Sequence, residues 1–360
     1  MGMKMEDCSQ NPIQIYTLEQ SDAWQNRMEQ FENWDVYYLP GYAKAFAING
    51  DGEPLLFYYE KNGKRAANVV MKRPVPVKKV LTKEDEALKE YCDFVTPYGY
   101  GGFLLDGDWN EEDKKELYHA YEEYLRKEKA AAEFVRFHPG LNNAHMVDDF
   151  YEVIDLGNTV QMDTGSREII WQNLTSKNRN MVRKAIKSGV KVYWGREPEL
   201  YEAFETIYNQ TMDKVNADSY YYFGKEFYQS ILEDLKYRAL MFYAEYEGEK
   251  IAMSIILTGK KSIHYHLSAS RREYQHLAPT NLILYEAACF ACEQGYQTFH
   301  LGGGLGSHKD HLYSFKKQFN RGEDRVFSIG KKIYDKQVYD RLCELNEPDP
   351  ESGFFPKYRA

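Results

Sequence analysis

Hydrophobic positions along this chain repeat with a period of two in some stretches and near 3.6 in others, and each change of period marks an element. Residues 54–59 are apolar and aromatic, residues 65–72 return in kind, and Asn62-Gly63 between them is a tight-hairpin signal. The same design recurs at 240–258, with Glu-Gly-Glu as its turn. Strands are also predicted at 92–102, where the run enters a loop dense in Tyr and Gly, at 134–137, at 262–268, at 298–301 and just past Ile329. Helical spacing covers 111–132, 169–189, 198–216, 224–237 and 280–295, while 14–46 reads as largely helical or turn-like. The 169–189 segment has Thr175 or Ser176 as its N-cap and Gly189 as its stop.

The two hairpins align without gaps at an offset of 185: Leu55-Leu56-Phe57-Tyr58 lies over Leu240-Met241-Phe242-Tyr243, Gly63 over Gly248 and Ala67 over Ala252. A strand, a loop, a helix and another strand follow each hairpin. That order predicts an α/β fold with mixed sheets, built from two copies of one module. The expected boundaries are 1–158 and 159–327, with 328–360 packing back on the first.

Composition narrows the class. With 43% hydrophobic and 28% charged residues the chain is an ordinary globular protein, and 360 residues suffice for two domains. Tyrosine outnumbers phenylalanine 31 to 19, which suits half-buried strands and groove walls. A formal net charge of -9 speaks against DNA as a partner while leaving room for a local basic patch. Five cysteines, Cys8, Cys92, Cys289, Cys292 and Cys343, are scattered. Cys289 and Cys292 fall in an alanine-rich helical run with no second pair, so no metal centre is expected. The N-terminal residues show no apolar signal core and no stretch approaches a membrane span. A cytoplasmic protein with at most peripheral membrane contact is expected.

Candidate chemistry gathers in four places. Gly302, Gly303 and Gly304 end the 298–301 strand; they either let a ligand approach the backbone or form a plain loop. Their spacing is neither a P-loop nor a dinucleotide fingerprint. Lys177, Arg179, Arg183, Lys184 and Lys187 crowd one helix of an acidic chain, either as an anion site or as a solvated basic face. Tyr98 and Tyr100 in PYGYGG, and Arg136 and His138 in RFHP, sit at strand ends, where α/β sheets bind ligands; tight turns with Arg136 in a salt bridge are the other reading. His264 and His266 share a strand face with Ser268, as hydrogen-bonded sheet residues or as a base. No G-x-S-x-G elbow or Cys–His pattern appears, so no covalent intermediate is expected.

Five segments taken together resemble the Fem family of peptidoglycan aminoacyl and peptidyl transferases and the related GNAT-domain proteins: CDFVTPYGYGG, EFVRFHPGLNN, KNRNMVRKAIKSGVKV, LAPTNLILYEAACFACEQGYQTFHLGGG and SFKKQF. The resemblance implies two tandem GNAT-like domains, the second carrying the transfer site. It implies amide formation on a nucleotide- or lipid-linked sugar or peptide of the cell envelope, from an aminoacyl-tRNA or acyl-CoA donor, with no tightly bound cofactor. By the same resemblance Lys316 stabilises the developing oxyanion, Phe315 packs against the donor, and Lys177, Arg179 and Arg183 hold a pyrophosphate or other anion. His264 is the candidate base. One departure stands out: where ordinary GNAT enzymes place a glycine-rich CoA-pyrophosphate loop, this chain reads YQHLAPTNLI, and Pro279 removes an N–H donor. An acyl-CoA-dependent N-acetyltransferase of an amino sugar and a non-catalytic module for anionic glycans or nucleotides are the alternatives.

Overall fold

A computed structural model describes residues 11–79, 82–83, 85–214 and 216–360; Cys8 and the segment read for a signal core lie outside the described residues. The first half contributes β1 (Ile13–Tyr16), α1 (Ser21–Glu29), α2 (Pro40–Ile48), β2 (Glu53–Lys61), β3 (Lys64–Pro74), β4 (Cys92–Val95), β5 (Leu104–Asp106), α3 (Glu111–Lys127) and β6 (Ala130–Arg136). After β7 (Glu152–Asp163) come α4 (Arg167–Asn173), α5 (Ser176–Lys187), β8 (Lys191–Gly195), α6 (Pro198–Lys214), α7 (Lys225–Asp234), β9 (Ala239–Tyr246), β10 (Glu249–Thr258) and β11 (Ser262–Ser270). The chain ends with α8 (Pro279–Glu293), β12 (Thr298–Gly302), α9 (His311–Lys317), β13 (Arg325–Ile333) and α10 (Lys336–Asn346).

Both hairpins form as their turn residues dictate. Asn62 and Gly63 take φ of 51° and 76°, and Glu247 and Gly248 take 50° and 81°, so the two modules carry equivalent β2–β3 and β9–β10 pairs. Elsewhere local reading and structure part. The 14–46 stretch contains strand β1, which pairs with β2. The helix predicted to reach residue 132 stops at Lys127, because Lys129 turns left-handed at φ 55° and Ala130–Ala132 are buried in β6 beside β4. Alanine favours helices, but a parallel neighbour and burial outweigh that propensity here.

The strands join into one sheet, ordered β1-β2-β3-β4-β6-β13-β7-β12-β11-β10-β9-β8, with β5 on β3. β7 is the seam: through Thr159 it pairs with β13, and from Val160 onward with β12. β13 comes from beyond the second module yet pairs with β6 as well as β7, adding a strand to the first half. Behind it, buried Asp93 accepts from Arg73 (2.8 Å), Arg359 (2.5 Å) and Tyr358 (3.2 Å), tying the C-terminal residues to β3 and β4.

The two halves share part of their core. Helices α5 and α8 cover one face of the second-half strands. The other face shares a single aromatic core with the first half: Trp24, Tyr42 and Phe46 pack with Phe204, Phe227, Met253 and Leu267. Helix α2 lies against α7, and Lys44 bridges to Asp234 at 2.8 Å.

Candidate active site

In each module two parallel strands start together and then part. β4 pairs with β6 from Cys92 to Val95, and the chain bows out over residues 97–100 before meeting Phe137 again at Gly101; β11 pairs with β12 only from Ser262 to His264. Bulges separate the second pair: β11 gains an extra residue at His266 against β10, and β12 slips at Leu301 against β7. The diverging ends of both pairs face each other and enclose a cavity of about 340 Å³. Tyr98, Gly99, Tyr100 and Arg136 come from the first half, and His266, His300, Gly302–Gly304 and Lys316 from the second. Among the described residues that line it, none is a carboxylate.

The first-half wall depends on its glycines. Gly99 has φ +90°, and a Cβ there would lie 2.7 Å from Tyr37 Cε1. Asn143 pins the loop, donating to the carbonyls of Gly101 (2.8 Å) and Phe103 (3.1 Å) and accepting from His138 N–H at 2.8 Å. Arg136 has no carboxylate partner among the described residues, and its guanidinium sits over the Phe134 ring.

Lys316 is the other cation. It lies on α9, whose N-cap Asp310 accepts from Tyr313 N–H, and only 8% of it is exposed. Its Nζ donates to the Gly303 carbonyl at 2.7 Å, and a Cβ on Gly302 would come within 3.3 Å of it. Burial lowers its pKa to about 8, against a smaller opposing pull from Asp310.

Five rings pack together at one wall of the cavity: Tyr37, Tyr100 and His300 line it, and His138 and His264 stand behind them. His300 is 5.2 Å from Tyr100 and 5.8 Å from His264, centre to centre. Beyond the rings, a second cavity of about 320 Å³ is lined by Asp35, His138 and His264, so these do not touch the Lys316 cavity. Asp35 is 1% exposed and accepts from Val36 N–H (2.7 Å), Ser262 Oγ (2.5 Å) and His264 Nε2 (2.8 Å). Burial alone would raise its carboxyl, but the His264 and His138 imidazoles hold it well below the usual carboxylate range. Donor atoms of Asp35, His138 and His264 lie within 4.8 Å of one another, close enough to raise the question of a metal ion. Their hydrogen bonds bear on it. Leu141 N–H donates to His138 Nδ1 at 3.2 Å, so neutral His138 carries its proton on Nε2, the nitrogen a metal would need. A metal-bound His264 would carry its proton on Nδ1, which has no acceptor. In this arrangement the Asp35 carboxylate is an anion hydrogen-bonded by Val36, Ser262 and His264.

The structure thus gathers Tyr98, Tyr100, Arg136, Gly302, Gly303, Gly304 and Lys316 in one cavity and sets His138 and His264 behind it. Lys177, Arg179 and Arg183 do not line the cavity. Arg179 donates to the Leu174 carbonyl at 2.7 Å, closing the end of α4, and Arg183 lies over the Trp171 ring at 5.0 Å. Phe315 packs against Phe319 in the second-half core, also away from the cavity. His264 and His266 face the first half as their alternation predicts, but the bulge turns Ser268 to the other side, where its hydroxyl meets Ser254 at 2.9 Å. Cys289 and Cys292 are free thiols on α8, and burial pushes Cys289 up to about 11. Asp35 carried no sequence signal beyond its residue type, whereas His300 stood out only as a histidine flanking the 302–304 glycines.

FemX has a similar structure, with a TM-score of 0.66 at 15% identity, covering 91% of this chain and 99% of its own. This is a tandem GNAT fold. Residues 176–310 of it match the acetyltransferase (GNAT) domain family. The C-terminal domain of a protein described as a candidate lysylphosphatidylglycerol synthetase from Agrobacterium fabrum is also similar, with a TM-score of 0.54 at 13% identity, covering 90% of this chain and 94% of that one. A conserved protein of unknown function from Bacteroides thetaiotaomicron has a TM-score of 0.54 at 12% identity, over 89% and 99% of the two chains. No curated protein matches the sequence. In this tandem GNAT arrangement the cavity lies where the parting strands of both modules meet. Among the described residues, no helix is long and apolar enough to cross a membrane.

Proposed function

We propose that this chain is an acyltransferase that forms an amide, moving an aminoacyl or acyl group onto an amine of a cell-envelope precursor of peptidoglycan or polysaccharide. The cavity between the modules carries this reading: two cations, Arg136 and Lys316, face a space whose described lining has no acid. Arg136, with the phenols of Tyr98 and Tyr100, suits a phosphate or carboxylate on a nucleotide- or lipid-linked acceptor. The amine attacks the donor carbonyl, and the Lys316 ammonium stabilises the oxyanion beside the backbone of Gly302–Gly304.

For the donor, aminoacyl-tRNA fits better than acyl-CoA. Ala278 at φ 55° and Pro279 open α8, so the backbone N–H groups that cradle a pyrophosphate in a glycine-rich loop are reduced there. The match to the GNAT domain favours a second reading, an acyl-CoA-dependent N-acetyltransferase of an amino sugar or other small amine. Purified protein would be incubated with a UDP-linked muropeptide and either radiolabelled aminoacyl-tRNA or acetyl-CoA, and products read by mass spectrometry. Transfer from the tRNA is the expected result. Micromolar acetyl-CoA affinity by calorimetry, with acetyl transfer, would select the second reading. Anion binding with no turnover from either donor would leave only a binding module for glycans or nucleotides.

A further inference from the structure

Two histidines, His266 and His300, line the Lys316 cavity, and the Nε2 of each is buried without a partner among the described residues. His138 is held at Nδ1 by Leu141 N–H, and His264 is held at Nε2 by Asp35. His266 lies against the rings of Tyr42, Phe46 and Tyr98, whereas His300 has charged and titratable groups around it. A buried imidazole nitrogen left unbonded is costly, and it needs a reason to persist. The groups around it supply one. Asp35 and His264 lie behind the ring, His138 beside it, Lys316 across the cavity, and the phenols of Tyr37 and Tyr100 complete the layer. Burial above all, and then nearby positive charge such as the Lys316 ammonium, holds His300 well below the ordinary histidine range.

We propose that His300 is the general base of the acyl transfer, with Asp35 and His264 as positioning residues behind it; this rests on the acyltransferase reading above. As the amine nitrogen bonds to the donor carbonyl carbon, its surplus proton passes to a ring nitrogen of His300, giving an imidazolium. The tetrahedral intermediate then expels the leaving oxygen of an ester, or the sulfur of a thioester, and that atom takes the proton back from His300. Amine and acyl donor become amide and free alcohol or thiol, with no proton left over. Electrostatics make the base stronger when it is needed. Before attack, the Lys316 ammonium opposes a second positive charge on His300. Once the oxyanion forms against Lys316 that opposition is neutralised, while the Asp35 carboxylate still favours the imidazolium.

The test uses the full-length protein with the muropeptide acceptor and both donors. His300→Gln keeps the shape of the ring edge but cannot hold a proton, and kcat should fall about 10²–10⁴-fold with KM within about 3-fold. Added imidazole should restore part of the rate in His300→Ala, which a purely structural role would not permit. Asp35→Asn should lower kcat and displace the acid limb of the pH–rate profile, with KM within about 3-fold. Wild-type transfer that survives undiminished in His300→Gln overturns this inference and leaves the acyltransferase reading standing. Absence of wild-type transfer from either donor overturns both.

Discussion

Replacing Lys316 by Met separates catalysis from stability, because the same burial that tunes the ammonium also strains the fold. Its pKa falls from 10.5 to about 8, so holding the charge at pH 7 costs about 3 kcal/mol (2.5 pH units at 1.36 kcal/mol each). Methionine has nearly the same length and no charge to desolvate. It leaves the Gly303 carbonyl without its donor, a loss of about 1–3 kcal/mol, so the variant should be about as stable as wild type at pH 7. The sign of the pH dependence follows from linkage. Between pH 8 and 10.5 the folded lysine binds fewer protons than the unfolded one, so wild-type stability rises with pH through that window. Urea unfolding at several pH values should show wild type gaining about 3 kcal/mol relative to the variant from pH 7 to 10.5. Transfer by the variant should drop about 10²–10³-fold, and the wild-type rate should decline as the ammonium is lost above pH 8. A stability difference that is flat with pH, or turnover unchanged in the variant, would refute the reasoning.

Arg136→Gln should weaken binding of inorganic pyrophosphate about 10-fold or more by calorimetry, since it removes the unpaired guanidinium of the cavity. Gly99→Ala should lower the unfolding free energy by about 2 kcal/mol or more, because the left-handed backbone and the Tyr37 ring both resist a Cβ. Replacing Arg179 and Arg183 together with Ala should lower stability by about 1–2 kcal/mol and leave acceptor KM unchanged, in keeping with their contacts to Leu174 and Trp171.

Much of the scaffold was legible because its signals are local. Asn62-Gly63 and the glycine of Glu-Gly-Glu dictate turns whatever surrounds them, and their recurrence at a fixed offset exposed the duplicated module. Signals that depend on neighbours were misread or silent. Ala130–Ala132 look helical until β4 lies beside them, β7 has no clean alternation because it serves two half-sheets, and the bulge at His266 reverses a face count made by twos. The basic helix drew attention through charge density, but whether an arginine is free or bonded to a carbonyl is a question of contacts.

By itself the sequence determined the two hairpins, the repeated order of elements, the glycines at the strand ends and the residue types available for chemistry, since each follows from backbone preference or period. Only the tertiary structure decided which of those residues meet. Asp35, His138, His264 and His300 come from four separate segments and converge because two bulged parallel pairs open toward each other across a shared aromatic core. The lowered pKa of Lys316 likewise belongs to its burial, which residue type and spacing along the chain do not encode.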